Sequence, residues 1–182
     1  MKFIESHKDR WCALGGEDGP AVCINPVPHL LLDVAQWHAF RAQWPAGMPV
    51  GVIVGNDADV EDIAADVPRL GLVVLRFPKW IDGRAYSQAH LLRSRYRFDG
   101  EVRATGEVLV DMLPLLQRSG FTSVQLRADQ SLDAARRALG FFPGYYQGSV
   151  NDPLPLFAKP PGTAEALAHT LAREFVGDGA SI

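Results

Sequence analysis

The sequence predicts an α/β domain built on a mainly parallel sheet of about four to five strands flanked by helices. Short apolar runs rich in β-branched residues alternate with amphipathic stretches of helical period through the middle of the chain. Four such strand–helix units follow one another at short spacing, which is typical of parallel sheets because their strands need crossover connections. The sheet is either open and doubly wound or curled like half of a β/α barrel, since the pattern does not reveal strand order.

Each unit begins with a short apolar strand and closes at residues that stop a helix. The strands are predicted at residues 50–54, 72–76, 102–105 and 122–127. Helices are predicted at about 59–67, at about 84–97, after Gly106, and after the capping residue Ser131. Asp59 caps the first of these helices and Pro68 ends it, whereas Pro114 either kinks the third helix or lies in its first turn.

The whole chain, residues 1–182, is predicted to form one domain. Residues 1–30 are expected to form a short β-rich N-terminal segment, residues 48–142 the β/α core, and residues 143–182 an irregular segment with a C-terminal helix. A helix is also predicted from Asp33 to Trp44. The C-terminal helix, about 163–175, has apolar residues at helical spacing and either packs on the core or docks a partner.

Composition excludes several classes of protein. The hydrophobic fraction of 47% and the charged fraction of 21% are those of an ordinary globular protein. A net charge of −3 argues against a nucleic-acid-binding surface. No apolar stretch is long enough to span a membrane and no secretory signal is readable, so we expect a cytoplasmic protein with no membrane partner.

Neither a metal nor an organic cofactor is predicted. The two cysteines, Cys12 and Cys23, have no neighbours at metal-ligand spacing, and an iron–sulfur cluster normally takes more cysteines. The histidines show no paired spacing either. No glycine-rich dinucleotide fingerprint or phosphate-binding P-loop motif follows any predicted strand.

Charged residues concentrate in one loop, residues 77–84, at the carboxyl end of a predicted strand, where parallel α/β domains collect ligands. The helix that follows begins near Asp82, its predicted N-cap, so free backbone N–H groups there would favour an anion. Nearby arginines would add positive charge and bidentate hydrogen bonds. No catalytic residue is assigned. The predicted ligand-binding residues are Lys79, Asp82, Arg84, Tyr86, Arg103, Gly106 and Glu107.

A purely structural role for these charges is the competing interpretation. Arg103 lies inside a strand that a parallel sheet would bury, so it needs a partner such as Asp82, Glu107 or Asp111. On the helix 84–97, a polar stripe of Tyr86, His90, Arg93 and Arg97 flanks the buried face. In this interpretation Arg84 and Arg97 are solvated helix surface. The aromatic residues Trp80, Tyr86, Tyr145 and Tyr146 are either hydrophobic anchors or the wall of a pocket.

Three blocks of sequence resemble a bacterial family known as domain of unknown function 934. The blocks are Phe77 to Ser87, Leu91-Leu92-Arg93, and Gly100 to Gly106, and their spacing also matches. The resemblance covers about residues 30–155 and excludes the extension 159–182. Arg76 and Met112 depart from the family pattern, which puts the contribution of the neighbouring Asp111 in doubt.

The resemblance implies a role in assimilatory sulfite reduction, because members of that family are typically encoded beside the reductase. They are labelled oxidoreductases or accessory proteins without established chemistry, so whether the chain is an enzyme stays open. We therefore expect an accessory protein that binds an oxyanion, a phosphorylated ligand or assimilatory sulfite reductase itself. The alternative is a metal-free lyase or isomerase of a small anionic metabolite on a β/α scaffold.

Overall fold

A computed structural model describes residues 1–13, 25–142, 145–160 and 162–163 of the chain. Its centre is one parallel sheet of seven strands. The strands are β1 (Lys2–Phe3), β2 (Cys12–Ala13), β3 (Leu30–Asp33), β4 (Val50–Val54), β5 (Leu72–Phe77), β6 (Glu101–Gly106) and β7 (Ser123–Val124). The fold class is therefore α/β, as the sequence predicts.

The spatial order of the strands is β2-β3-β4-β5-β6-β7-β1, and every neighbouring pair is parallel. From β2 to β7 the chain moves one strand at a time across the sheet, and β1 is added outside β7. The sheet is curled into a half-barrel, which decides between the two shapes left open by the sequence. The strand number exceeds the predicted four to five because β1, β2 and β3 were not predicted individually. β1 and β2 are only two residues long, too short for a hydrophobic pattern, and β3 runs directly into α1. β7 lies inside the predicted strand 122–127 but is shorter.

Helices and 3₁₀ turns connect the strands. The α-helices are α1 (Val34–Phe40), α2 (Arg84–Ser94), α3 (Leu113–Ser119) and α4 (Leu132–Gly140). The 3₁₀ helices are Ser6–Lys8, Val60–Arg69, Val110–Met112 and Leu156–Ala158.

The two faces of the sheet are packed differently. Alternate residues such as Val52, Leu75 and Ala104 point to one face, where they form the main core together with side chains of the helices. On the opposite face, Trp11 covers Leu31, Leu72 and Val74 in a smaller cluster. Strands that are buried on both faces explain why the sequence reads as continuous apolar runs.

Several predicted elements differ in extent or type. The stretch predicted as a helix at 59–67 is 3₁₀ helix over Val60–Arg69 and contains Pro68, although Asp59 caps it as predicted, accepting from Glu61 N at 2.9 Å. The helix predicted at 84–97 ends at Ser94, and the one predicted to run to Trp44 ends at Phe40. Pro114 lies in the first turn of α3, which was one of its two predicted positions. The predicted C-terminal helix lies outside the described residues.

Candidate functional site

Arg103 is held inside the sheet by carboxylates. Only 2% of it is exposed, on the face of the sheet that Trp11 covers. Its Nε and Nη2 donate to Glu101 Oε1 at 3.0 and 2.7 Å, and its Nη1 donates to Asp9. The predicted partners Asp82, Glu107 and Asp111 are thus replaced by Asp9 and Glu101, because the guanidinium lies on the face that Asp9 reaches.

Glu101 is tied into the same network. Ser123 Oγ donates to Glu101 Oε1 at 2.6 Å from the neighbouring strand. Burial raises the pKa of the Glu101 carboxyl, but the hydrogen bonds from Ser123 and Arg103 and the charge of Arg103 outweigh burial and hold that pKa below its ordinary value. The geometry around Arg103 is that of a structural ion-pair network in which the guanidinium itself is almost fully buried.

Asp82 and Arg84 form a bidentate pair at the start of α2. Arg84 Nε and Nη2 donate to the two Asp82 oxygens at 3.0 and 2.7 Å, and Asn56 Nδ2 donates to Asp82 Oδ2 at 2.6 Å. The hydrogen bond from the Arg84 side chain holds the pKa of the Asp82 carboxyl far below its ordinary range. Gly83, rather than Asp82, is the N-cap residue, although Asp82 Oδ1 accepts from Arg84 N at 3.2 Å.

The other predicted ligand residues are spread along the same edge of the sheet. Tyr86 packs edge-on against Phe77 and Phe121, with ring centroids 5.2 and 6.4 Å away, so it acts as a hydrophobic anchor. Lys79 is exposed, and its amino group has no partner among the described residues. Glu107 accepts from Arg127 Nη1 at 2.8 Å.

A pocket of about 610 Å³ lies at the carboxyl ends of β1, β6 and β7, and we call it the edge pocket. Of the predicted ligand residues, only Gly106 lines it. Its arginine, Arg127, is shared between Glu107 and Asp129, which raises the pKa of Arg127 and lowers that of Asp129 to about 2. The lining is Phe3, Ile4, Glu5, Thr105, Gly106, Val124, Gln125, Leu126, Arg127, Ala128, Gln130 and Leu132.

A second pocket, of about 700 Å³, lies between α2, α3 and the segment 147–153, and we call it the arginine pocket. It contains three of the four residues of the predicted polar stripe, His90, Arg93 and Arg97 but not Tyr86, and three arginines in all. Among the described residues, no aspartate or glutamate belongs to the lining. The lining is His90, Arg93, Ser94, Arg97, Leu115, Arg118, Ser119, Gln147, Gly148, Ser149, Val150 and Pro153.

Arg93 connects the pocket to the backbone beneath it. Its Nε donates to Gly120 O at 3.0 Å and its Nη1 to Gly100 O at 2.8 Å and to Phe98 O. Its Nη2 is buried and has no hydrogen-bond partner. Burial lowers the pKa of the Arg93 guanidinium, partly offset by the charge of Asp99.

Arg118 and Arg97 supply the remaining charge. The Arg118 guanidinium lies 4.3 Å from the ring centroid of Tyr145, and its Nε is buried without a hydrogen-bond partner. Arg97 is exposed and adopts a left-handed backbone with φ of 53°, which an arginine rarely does. Among the described residues, no ion pair involves Arg93, Arg97 or Arg118.

The dipoles of α2 and α3 explain in part why arginines occur at this pocket. Arg93 and Arg118 lie in the last turns of α2 and α3, where the helix dipole favours positive charge. Yet the two partial negative charges of the helix ends are smaller than the charge of three arginines. The pocket therefore carries excess positive charge, and its two buried, unpaired N–H groups can each donate to an anion.

The sequence missed Arg118, Gln147 and Ser149 as members of a site. Arg118 stands in the last turn of its helix as Arg93 does in α2, and that was the one available signal. Nothing in the spacing shows that the two helix ends face each other. Only the packing of α2 on α3, with Arg93 reaching Gly120, brings them together.

Within the part of the chain that the structure describes, none of the helices has the length and apolar character needed to cross a bilayer. The same residues contain no group of three or more side chains suited to hold a metal ion.

No curated protein sequence matches the chain. A family model described as "Bacterial protein of unknown function (DUF934)" matches residues 51–157. The match runs from β4 to the last described 3₁₀ helix, so it contains both helices and all the side chains that line the arginine pocket. It agrees with the resemblance seen in the sequence blocks around Arg84, Arg93 and Arg103. The chain belongs to the bacterial DUF934 family.

Proposed function

We propose that this protein is an accessory protein of assimilatory sulfite reduction that binds a small anion in the arginine pocket. The observation that carries the anion-binding part is the pocket of three arginines, whose lining has no carboxylate in the part of the chain that the structure describes. The link to sulfite reduction comes from the family resemblance alone. The predicted site at the carboxyl edge of the sheet gives weaker support, since Arg84 and Arg103 are already paired with carboxylates.

The chemistry of the pocket fits an oxyanion. A tetrahedral or pyramidal oxyanion presents several acceptor oxygens, and guanidinium groups donate to such oxygens in charge-assisted hydrogen bonds. The Nη2 of Arg93 and the Nε of Arg118 are buried and have no hydrogen-bond partner among the described residues, so each has a donor that a bound anion would satisfy once the side chain turns towards it. Binding would also relieve the mutual repulsion of the arginines.

Anion titrations of purified protein test the binding step. We expect sulfite, sulfate and phosphate to bind with an affinity that falls as ionic strength rises. Arg118→Met keeps the apolar stem on Tyr145 but removes the charge, and Arg97→Asn keeps a residue that tolerates a left-handed backbone. Each change should weaken binding about 10- to 100-fold, the cost of one charge-assisted hydrogen bond.

Arg95→Gln is the matched control. Arg95 follows α2 two residues from Arg93, is exposed, and pairs with Glu61 outside the pocket. Its replacement should leave the titrations unchanged. Anion affinities that are the same in the wild type, Arg118→Met and Arg97→Asn proteins would contradict the proposal.

A genetic experiment tests the link to sulfite. A bacterial strain without this gene should grow normally on cysteine but slowly on sulfate or sulfite as the sulfur source. The wild-type gene should restore growth, and the Arg118→Met gene should not. Equal growth of the deletion strain on all three sulfur sources would argue against the link.

The edge pocket supports a second candidate function, a metal-free lyase or isomerase of a small anionic metabolite. Its position at the carboxyl ends of β1, β6 and β7 is where β/α folds carry active sites. Glu5 lines it, and Glu107 reaches it through Arg127, so a carboxylate is available as a proton-transfer group. Turnover of a metabolite panel that is lost in Glu5→Gln but kept in Arg118→Met would favour this alternative.

A further inference from the structure

The arginine pocket continues into a smaller pocket of about 250 Å³ that has an aromatic wall. Arg118, Gln147 and Ser149 line both pockets, so the two adjoin, and we call them together the cleft. We call the smaller part the aromatic pocket. Its lining is Gln117, Arg118, Phe142, Tyr145, Gln147, Ser149, Asn151, Asp152, Leu154 and Lys159.

The aromatic pocket differs from its neighbour in charge and in surface. Tyr145 and Phe142 have ring centroids 5.9 Å apart, and Phe142 and Leu154 are about half exposed, at 50% and 56%. Its two charged residues other than Arg118, Asp152 and Lys159, pair with each other. One half of the cleft is therefore cationic, and the other half is apolar, aromatic and electrically balanced.

Arg118 stands at the boundary of the two halves. Its guanidinium lies over the Tyr145 ring, and its unpaired Nε is buried. The stacked guanidinium is thereby held in place as a donor for an anion, and the half-exposed Phe142 ring beside Tyr145 offers a π-face to a flat group. Uncharged amides complete the lining: Gln147 has no hydrogen-bond partner among the described residues, and Asn151 Nδ2 donates to Gln117 O at 2.9 Å.

We infer that the ligand of this cleft is a nucleoside monophosphate or a compound of that chemical class, a phosphate or sulfate ester joined to a planar ring. The phosphate would lie among Arg93, Arg97 and Arg118, and the ring would lie against Phe142 and Tyr145. The inference rests on the proposed anion binding and adds the ring to it. It also accounts for the exposed aromatic surface, which a bare oxyanion would leave unused.

The test compares four probes on the wild-type protein by calorimetric titration: inorganic phosphate, ribose 5-phosphate, AMP and GMP. AMP or GMP should bind roughly 5- to 100-fold more tightly than ribose 5-phosphate, because stacking of a base on an aromatic side chain contributes that much affinity. Equal affinities for ribose 5-phosphate and both nucleotides would overturn this inference while leaving anion binding intact. Failure of all four probes, phosphate included, would overturn the proposed function as well.

Substitutions test separately where the planar ring of the ligand binds and where its phosphate binds. Phe142→Ala removes an exposed ring, and Tyr145→Leu keeps an apolar side chain under Arg118. Both should bring nucleotide affinity down to that of ribose 5-phosphate and leave phosphate affinity unchanged. Arg118→Met should weaken the binding of all four probes, and Arg95→Gln should not weaken the binding of any of them. Tight nucleotide binding that persists in both Phe142→Ala and Tyr145→Leu would overturn the inference, with thermal melts of each variant to confirm folding.

Discussion

Arg93 Nε in the last turn of α2 donates to the carbonyl of Gly120, 3.0 Å away at the end of α3. This bond fixes the two helix ends whose arginines line one pocket. Gly120 has a left-handed backbone with φ of 103°, and a Cβ there would lie 2.6 Å from Cγ of Arg93. The contact thus depends on Arg93 in α2 and on a glycine, Gly120, directly after α3.

Replacing Arg93 with alanine should destabilise the fold. The guanidinium satisfies the carbonyls of Phe98, Gly100 and Gly120, and their loss leaves three acceptors without this donor. We expect the free energy of unfolding to fall by about 2–4 kcal/mol, since a hydrogen bond from a charged group contributes about 1.5–3 kcal/mol and water replaces part of it. Urea denaturation measures the loss.

Arg95→Ala is the control for that loss. Arg95 is an exposed residue that pairs with the exposed Glu61, so the free energy of unfolding should change by less than about 1 kcal/mol. Similar losses for Arg93→Ala and Arg95→Ala would mean that the three carbonyl contacts contribute little.

Replacing Arg103 with methionine should strongly reduce the free energy of unfolding. The change leaves Asp9 and Glu101 without their cation in a largely buried setting. Removing one member of a buried ion pair costs about 3–5 kcal/mol. Arg136→Met, which breaks a surface pair with Asp133, should cost less than about 1 kcal/mol in the same chemical denaturation experiment. A small loss in Arg103→Met would refute the structural role of this network.

The Glu101 network also predicts a pH dependence. The pKa of Glu101 in the folded protein lies below its ordinary value of 4.5, so the ionised carboxyl stabilises the fold above that pH. The contribution is lost as pH falls through the lower folded pKa. We expect Glu101→Gln to reduce stability at pH 7 and to flatten the decline of stability as pH falls below the ordinary carboxyl pKa of 4.5. An unchanged acid-unfolding curve would contradict this expectation.

Gly106 and Gly47 form a matched pair for testing backbone strain. Both have positive φ, 95° and 78°, but a Cβ on Gly106 would lie 2.4 Å from the carbonyl oxygen of Phe77, whereas one on Gly47 meets nothing within 4 Å. Gly47→Ala should therefore cost about 1–2 kcal/mol from strain alone. Gly106→Ala should cost about 2–5 kcal/mol, because the clash adds to the strain. Thermal unfolding of both variants measures the two losses of stability. Equal losses would show that the backbone near Phe77 shifts and avoids the clash with the new Cβ.

Much of the β/α core follows from local pattern. The strands β4, β5 and β6 coincide with the predicted runs to within one residue at either end, since their β-branched, buried sequences have no competing helical period. The caps at Asp59 and Ser131 were also predicted, because each side chain bonds the backbone within three residues. Where pairing depends on distant partners, as for β1 beside β7, pattern carried no signal.

The predicted site fared differently from the fold. Arg84 stands at the predicted start of its helix and Arg103 in the middle of its predicted strand, yet their charges are satisfied by Asp82, Asp9 and Glu101. Asp9 lies 94 residues before Arg103 in the chain, and no spacing rule links them. Whether the residues of the carboxyl edge bind a ligand stays a prediction.

The sequence by itself determined the fold class, the family and the arginine stripe along α2, because periodicity, capping and short motifs act over a few residues. The tertiary structure alone decided the half-barrel, the pairing of Arg103 with Asp9 and Glu101, and the meeting of Arg93, Arg97 and Arg118 around one pocket. The physical reason is that the net charge at a site is the sum of the charges of all residues that are close in space, whether or not they are close in the sequence. Those neighbours come from α2, α3 and the segment 147–153, which only the packing of the helices brings together.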